Sequence, residues 1–153
     1  MVTLSDRAYE GSYEDRSGPL LVEGLRQLGA RVDHVDVLPD GVQPLAAHLR
    51  ALAAAQVRLC LCTGGTGLGP RDLTPEALAQ VADRRVAGLA EMFRSESARH
   101  RPLAWLSRAE AVQVGRMLVL ALPGSPRAAG QGMAIVGPLL ARALAMMDGV
   151  GHA

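Results

Sequence analysis

Between residues 63 and 76 the chain reads Thr63-Gly64-Gly65-Thr66-Gly67-Leu68-Gly69-Pro70-Arg71-Asp72-Leu73-Thr74-Pro75-Glu76. Gly64, Gly65, Gly67 and Gly69 let backbone N–H groups approach an anion without interference from a Cβ. A helix that starts just behind them adds partial positive charge. Thr74 has the character of an N-cap, Pro75 of a first-turn proline, and Glu76 suits the positive end of the helix dipole. Phosphate is the natural guest of such a turn. Arg71 can pair with it, and Asp72 can hold a hard cation such as Mg²⁺ riding on phosphates. These residues favour a phosphate or nucleotide role over a purely structural turn, which they leave open.

A second loop, Leu122-Pro123-Gly124-Ser125-Pro126-Arg127, also follows an apolar run and opens a helical pattern. Ser125 reads as an N-cap first, because Pro126 breaks the G-x-S-x-G nucleophile elbow. Cys60 and Cys62 share one strand face without nearby histidines, which suits small core residues better than metal ligands. His34, His48 and His100 are scattered and make no Ser-His-Asp arrangement. Asp6, Asp15 and Asp40 fall in loops, where solvated carboxylates are common. All 16 basic residues are arginine. That excludes a Schiff-base lysine, a pyridoxal-phosphate anchor and a P-loop lysine.

The elements that must position these loops follow the rhythm of a sheet covered by helices. Val2–Leu4, Arg31–Leu38, Val57–Cys62 and Met117–Ala121 are the β-prone runs, the last paired in a hairpin across Gly115. Helical patterns are expected from Ser17 to Gly29, from Gln43 to Ala55, from Thr74 to about His100, and over Ala128–Met147 with a break or kink at Gly137-Pro138. In an open α/β sheet the glycine-rich loops lie at the carboxyl ends of the strands, where ligands bind.

The chain of 153 residues is about one domain long. The reading is a single domain over residues 1–147 with a loose tail over 148–153. Hydrophobic residues at 49% supply a core, while a net charge of +1 and 3% aromatics argue against a nucleic-acid surface. The Gly132–Met147 stretch is interrupted by Pro138 and Arg142, so no membrane span is expected. The start lacks the charged and apolar regions of a signal peptide, which points to the cytoplasm.

Ser5-Asp6-Arg7, Asp15-Arg16-Ser17-Gly18-Pro19, Leu38-Pro39-Asp40, Thr63–Gly67 through Arg71-Asp72-Leu73-Thr74-Pro75-Glu76-Ala77, Leu106-Ser107-Arg108 and Leu122–Pro126 occur in one order. In that order they resemble the MogA-type molybdopterin adenylyltransferase family, which includes the gephyrin G domain. The Thr-Pro-Glu ending favours this branch over the MoaB-like one. The resemblance implies a three-layer α/β/α sandwich with a mostly parallel central sheet. It implies adenylylation of molybdopterin by Mg-ATP, with release of pyrophosphate. Asp72 and Asp40 correspond to the family's essential acidic residues, Asp72 also being the expected Mg²⁺ ligand. Gly64, Gly65, Thr66 and Gly67, with Arg71, would cradle phosphate. Ser5, Asp6, Ser107, Pro123, Gly124 and Ser125 would line the same pocket. A homotrimer and a molybdenum-insertion protein as partner are further implications. The alternatives are a non-catalytic pterin-binding or scaffolding trimer and a MoaB-like protein of the same fold. Three positions depart from the family pattern: Gly41 replaces an acidic residue, Val112 a frequent glycine, and Ala121 a usual asparagine. Ala121 is expected to border the pocket.

Overall fold

The computed structural model describes residues 1–150. Six strands form one mixed sheet: β1 (Val2–Leu4), β2 (Asp36–Leu38), β3 (Leu59–Thr63), β4 (Arg84–Arg85), β5 (Glu110–Val114) and β6 (Met117–Leu122). Their order across the sheet is β2-β1-β3-β6-β5-β4. The β2, β1, β3 and β6 strands run parallel, and β5 pairs antiparallel with both β6 and β4. Helices α2 (Ser17–Gln27), α5 (Ala87–Ala98) and α6 (Pro126–Met147) cover one face, and α3 (Val42–Ala54) with α4 (Thr74–Val81) covers the other. This is the expected three-layer sandwich. A short helix, α1 (Asp6–Tyr9), follows β1, and a 3₁₀ turn spans Pro102–Leu106.

The layers follow from the two-residue period of a strand. In β6, Leu118, Leu120 and Leu122 join the cluster under α2, α5 and α6, while Met117, Val119 and Ala121 join the one under α3 and α4. Both faces are covered, so the strand reads as an unbroken apolar run. Cys60 and Cys62 are fully buried beside Ala121 on the second face, as core residues. Close packing sets the first face. A Cβ on Gly24 of α2 would sit 2.5 Å from Met133 Cγ of α6, so the two helices touch where that glycine removes the side chain.

Several expectations need correction. The Arg31–Leu38 run contributes only Asp36–Leu38 to the sheet, because β1, its one neighbour, meets it over Val2–Leu4. The helical stretch expected from Thr74 to His100 is divided by β4, a two-residue edge strand that pairs with β5. Two exposed arginines carry no hydrophobic alternation, so nothing in the pattern marks them as a strand. Helix α6 runs unbroken through Gly137-Pro138. An internal proline costs about 3 kcal/mol, which burial of Met133, Val136, Gly137 and Leu140 offsets. Composition and length alone would let α6 cross a bilayer, but this face packs on the sheet and α2. At the end of α6, Asp148 accepts from Arg58 at 2.9 Å and Arg116 at 2.5 Å, which ties down the first residue of the expected loose tail. Residues 151–153 of that tail lie outside the described residues.

Ala121 does not border the pocket. It is fully buried between β3 and β5, in register with Cys62 and Glu110, and it faces the α3–α4 layer. An asparagine there would bury an amide among apolar side chains. We expect Ala121→Asn to lower stability by roughly 1–3 kcal/mol in denaturant unfolding. A variant as stable as the parent would show that this layer has room and partners for the amide.

Candidate functional site

The parallel strands β1, β3 and β6 end on the same side of the sheet, and their loops enclose a cavity of about 870 Å³. The chain reverses its direction of winding between β1 and β3, which is where open α/β sheets place their ligands. Every residue singled out above as catalytic or binding lines this one cavity except Gly69, whose N–H is taken by Asp72.

Steric exclusion builds its floor. Gly64 has φ +106°, and a Cβ there would lie 2.2 Å from the Leu4 carbonyl oxygen at the end of β1. Its N–H donates to Leu122 O at 3.1 Å, at the end of β6. A Cβ on Gly124 would lie 3.1 Å from Gly64 Cα, so the two glycine loops are in contact. The Thr63 hydroxyl locks the same junction by donating to Pro123 O at 2.9 Å. Thr74, expected as an N-cap, instead donates its hydroxyl to Gly64 O at 2.9 Å, and α4 begins at Thr74 without a side-chain cap. Ser125 does cap α6, accepting from Ala128 N–H at 3.3 Å, and Ser5 caps α1 likewise through Ala8 N–H at 3.2 Å.

Three carboxylates face this floor. Asp6 and Asp40 bind each other's backbone: Asp40 Oδ2 accepts from Asp6 N–H at 3.2 Å, and Asp6 Oδ1 from Asp40 N–H at 2.9 Å. Arg71 pairs with Asp6 at 3.3 Å. Burial pushes the Asp40 carboxyl above its ordinary value; the Asp6 N–H and Arg71 oppose the rise, and the Asp6 and Asp72 charges add to it. Asp72 folds back under its own loop, with Oδ2 accepting from Gly69 N–H at 2.8 Å. A Cβ on Gly67 would come within 2.7 Å of that oxygen, so the turn's spare room holds the carboxylate itself. Among the described residues no three acidic, histidine or cysteine side chains form a metal cage. The donor set suits a cation held by one or two carboxylates and completed by phosphates and water, as Mg²⁺ prefers.

Arg108 is the residue that the sequence reading left without a role. Its Nε donates to Gly67 O at 2.8 Å, one Nη to Glu76 at 2.5 Å and the other to Asp72 O. Its own N–H donates to Thr66 O at 2.8 Å. One guanidinium thus sets the glycine loop, the Asp72 backbone and the first turn of α4, and it holds the Glu76 carboxyl below its ordinary range. Its neighbour Ser107 is held from the other side, where Arg94 of α5 donates to Ser107 O at 3.4 Å and Ala109 O at 2.7 Å. Asp15, read as a solvated loop carboxylate, is engaged on both oxygens. Oδ1 accepts from Ser17 and Gly18 N–H at 3.1 and 2.9 Å, and Oδ2 from the Thr3 hydroxyl at 2.6 Å. A carboxylate two residues before a Ser-Gly-Pro helix start was the available signal. The far wall, with Phe93, Ser97 and Arg101, comes from α5 and its end, which no spacing pattern connected to the loops.

The family described as "Probable molybdopterin binding domain" matches residues 1–142. The chain belongs to this family. It is 39% identical over 152 residues to a molybdenum cofactor biosynthesis bifunctional protein of Synechococcus elongatus, covering 99% of this chain and 48% of that protein. A second bifunctional relative, from Chlorobaculum tepidum, is covered to 49%. The chain therefore spans about half the length of these relatives. A molybdopterin adenylyltransferase of Helicobacter pylori is 33% identical over 143 residues, covering 92% of this chain and 81% of the relative. Among solved structures, the molybdopterin biosynthesis enzyme MoaB of Thermus thermophilus superposes with a TM-score of 0.91 at 39% identity, covering 97% of this chain and 94% of that one.

Two outcomes test this domain's site architecture. Arg108→Met removes three side-chain bonds, and we expect a loss of about 2–3 kcal/mol in denaturant unfolding, about that of one hydrogen bond to a charged group, because water replaces part of what these partly exposed partners lose. Arg108→Lys should recover less than half, since an ammonium cannot span Gly67, Asp72 and Glu76 together. Full recovery by lysine would reduce the role of Arg108 to charge alone. The raised Asp40 carboxyl makes ionisation costlier in the folded than in the unfolded chain. That cost is present above the raised value and disappears as pH falls through it, when the folded state takes up the proton. Asp40→Asn should therefore raise the melting temperature at neutral pH, with a gain that vanishes at acid pH. A gain that grew on acidification would contradict the burial account.

Proposed function

We propose that this domain transfers the adenylyl group of Mg-ATP to the terminal phosphate of molybdopterin, giving adenylyl-molybdopterin and pyrophosphate. The observation that carries the reading is the meeting of Asp6, Asp40 and Asp72 with the Gly64–Gly69 turn around one cavity, in a molybdopterin-binding-family chain. A terminal phosphate oxygen of molybdopterin attacks the α-phosphorus. A new P–O bond forms, the bond to the bridging oxygen of the β-phosphate breaks, and pyrophosphate leaves with that electron pair.

No protein nucleophile is required, so the burden falls on alignment and charge. Gly64, Gly65, Thr66 and Gly67 offer backbone N–H groups to phosphate, and Arg71 adds a guanidinium that can exchange its Asp6 partner for a phosphate oxygen. Mg²⁺, when bound, neutralises charge on the phosphates, and Asp72 with Asp40 would hold it. Burial of Asp40 strengthens any attraction between its carboxylate and such a cation. Ser5, Ser107, Pro123, Gly124 and Ser125 shape the remaining walls. The wall made by α5 and the 3₁₀ turn, with Phe93 buried and Leu103 and Leu106 exposed, suits the heterocycle. A homotrimer, a downstream molybdenum-insertion protein and a cytoplasmic setting complete the proposal. The exposed Leu139 and Met146 of α6 would suit a subunit contact.

The deciding experiment is turnover of ATP to pyrophosphate with molybdopterin present. Asp72→Asn should keep the fold and pterin binding while lowering adenylylation by at least ~10²-fold, the usual loss for one preorganised electrostatic group. Near-normal turnover by this variant would overturn the assignment of Asp72. Pterin binding without turnover in the parent would assign the domain as non-catalytic.

A further inference from the structure

The loop between α1 and α2 carries an arrangement that the adenylyl-transfer reading has not used. The chain has only four aromatic residues: Tyr9, Tyr13, Phe93 and Trp105. Two of them line the cavity, and of these Phe93 is 2% exposed whereas Tyr13 is 42% exposed. Tyr13 is thus the aromatic ring that the cavity presents to an incoming molecule. Arg7 also lines the cavity, and its guanidinium carbon lies 4.9 Å from the centre of that ring.

The pair is held in place from both sides. Arg7 O accepts from Ser12 N–H at 2.9 Å, Tyr13 N–H at 3.1 Å and the Ser12 hydroxyl at 3.1 Å, which folds the loop back over α1. Two residues beyond Tyr13, Asp15 ties the loop to Thr3 and to the start of α2. A ring anchored at both flanks loses little freedom when something stacks on it. Of the neighbouring acids, Asp6 pairs with Arg71 and Glu14 with Arg16, and Glu10 makes no ion pair with Arg7. Among the described residues, Arg7 has neither an ion-pair nor a hydrogen-bond partner for its side chain. Its charge therefore remains available to a ligand over the ring.

From this geometry, and resting on the adenylyl-transfer reading above, we infer that Arg7 and Tyr13 form the seat of the nucleobase. The seat adjoins the right groups. Arg7 directly follows Asp6, whose backbone N–H binds Asp40 and whose carboxylate pairs with Arg71. A nucleotide with its phosphates between these residues and the Gly64–Gly69 turn can bring its base to Tyr13. The heterocycle of molybdopterin is assigned to the separate wall made by α5 and the 3₁₀ turn. The purine stacks on the phenol ring, and the guanidinium adds cation–π attraction and donors for ring nitrogens. Arg7 and Tyr13 would thus supply the affinity that distinguishes ATP from bare polyphosphate.

Equilibrium binding of Mg-ATP and of Mg-tripolyphosphate to the purified chain separates base from phosphate recognition. The parent should prefer ATP. Tyr13→Ala should cut ATP affinity about tenfold, a typical loss for one stacked base, and leave tripolyphosphate binding unchanged. Tyr13→Phe should keep the preference, and Arg7→Met should reduce it by a smaller factor. Tyr13 is half-exposed, and an unchanged melting temperature in the alanine variant will show that the fold is intact. Equal losses for both ligands, or no loss for either, would overturn the inference. So would a parent that binds tripolyphosphate as tightly as ATP, with adenylyl transfer untouched if turnover persists. A parent that binds neither overturns the adenylyl-transfer reading and this inference together.

Discussion

Three strand ends meet at Gly64, and the cavity exists because nothing larger fits there. Its absent Cβ makes room for the Leu4 carbonyl, its N–H takes the Leu122 carbonyl, and its own carbonyl takes the Thr74 hydroxyl. With φ at +106° the chain turns away from β3 at once instead of continuing the strand. The turn delivers Thr66 and Gly67 to Arg108 and sends the chain back as α4. Any side chain at this position would push β1 from β3 or lift the glycine loop, and Asp72 would move with it. The binding geometry is therefore a consequence of strand packing.

Charge is arranged around that floor at some cost to the fold. Asp40 is held where burial disfavours its ionised form, and its like-charged neighbours Asp6 and Asp72 add to the penalty. Reciprocal backbone bonds between Asp6 and Asp40 compensate in part, as does Arg71. A domain selected for stability alone would disperse these acids. Keeping them together makes sense if a positively charged guest supplies the missing compensation, which is the familiar exchange of stability for function at binding sites.

The layers and the cavity were legible in the sequence for different reasons. Helix faces declare themselves by period and doubly buried strands by short unbroken apolar runs, so α2, α3, β3 and β6 appeared close to their observed bounds. The loop residues declared themselves by type, because glycine runs, Ser-Pro and Asp-Gly-rich contexts are costly unless a turn uses them. What stayed hidden depends on contacts distant along the chain. The Arg84–Arg85 strand exists through its partner β5, α6 survives Pro138 through its packing on α2 and the sheet, and Ala121 points away from the pocket because of strand parity. In β6, Leu122 faces the α2–α5–α6 layer, so its predecessor must face the other, whatever the loop beyond them binds. Proximity in sequence to the Leu-Pro-Gly turn suggested the opposite.

The absence of lysine takes on meaning once the arginines are placed. Arg58 donates to the carbonyls of Arg116 and Leu144, Arg94 to those of Ser107 and Ala109, and Arg108 to those of Gly67 and Asp72. Each guanidinium thus joins two backbone sites. Arg108 ties together the two sides of the glycine turn, while Arg58 brings the β5–β6 turn to the end of α6. A flat fork with five N–H donors can fix the relative position of two carbonyls, whereas an ammonium on a flexible stem mainly supplies charge. The result is a division of labour: Arg58, Arg94 and Arg108 hold loops, while Arg7, Arg71 and Arg101 line the cavity with charge. That division explains how a chain with a net charge of only +1 can line one cavity with guanidinium groups without an excess of positive charge over its whole surface.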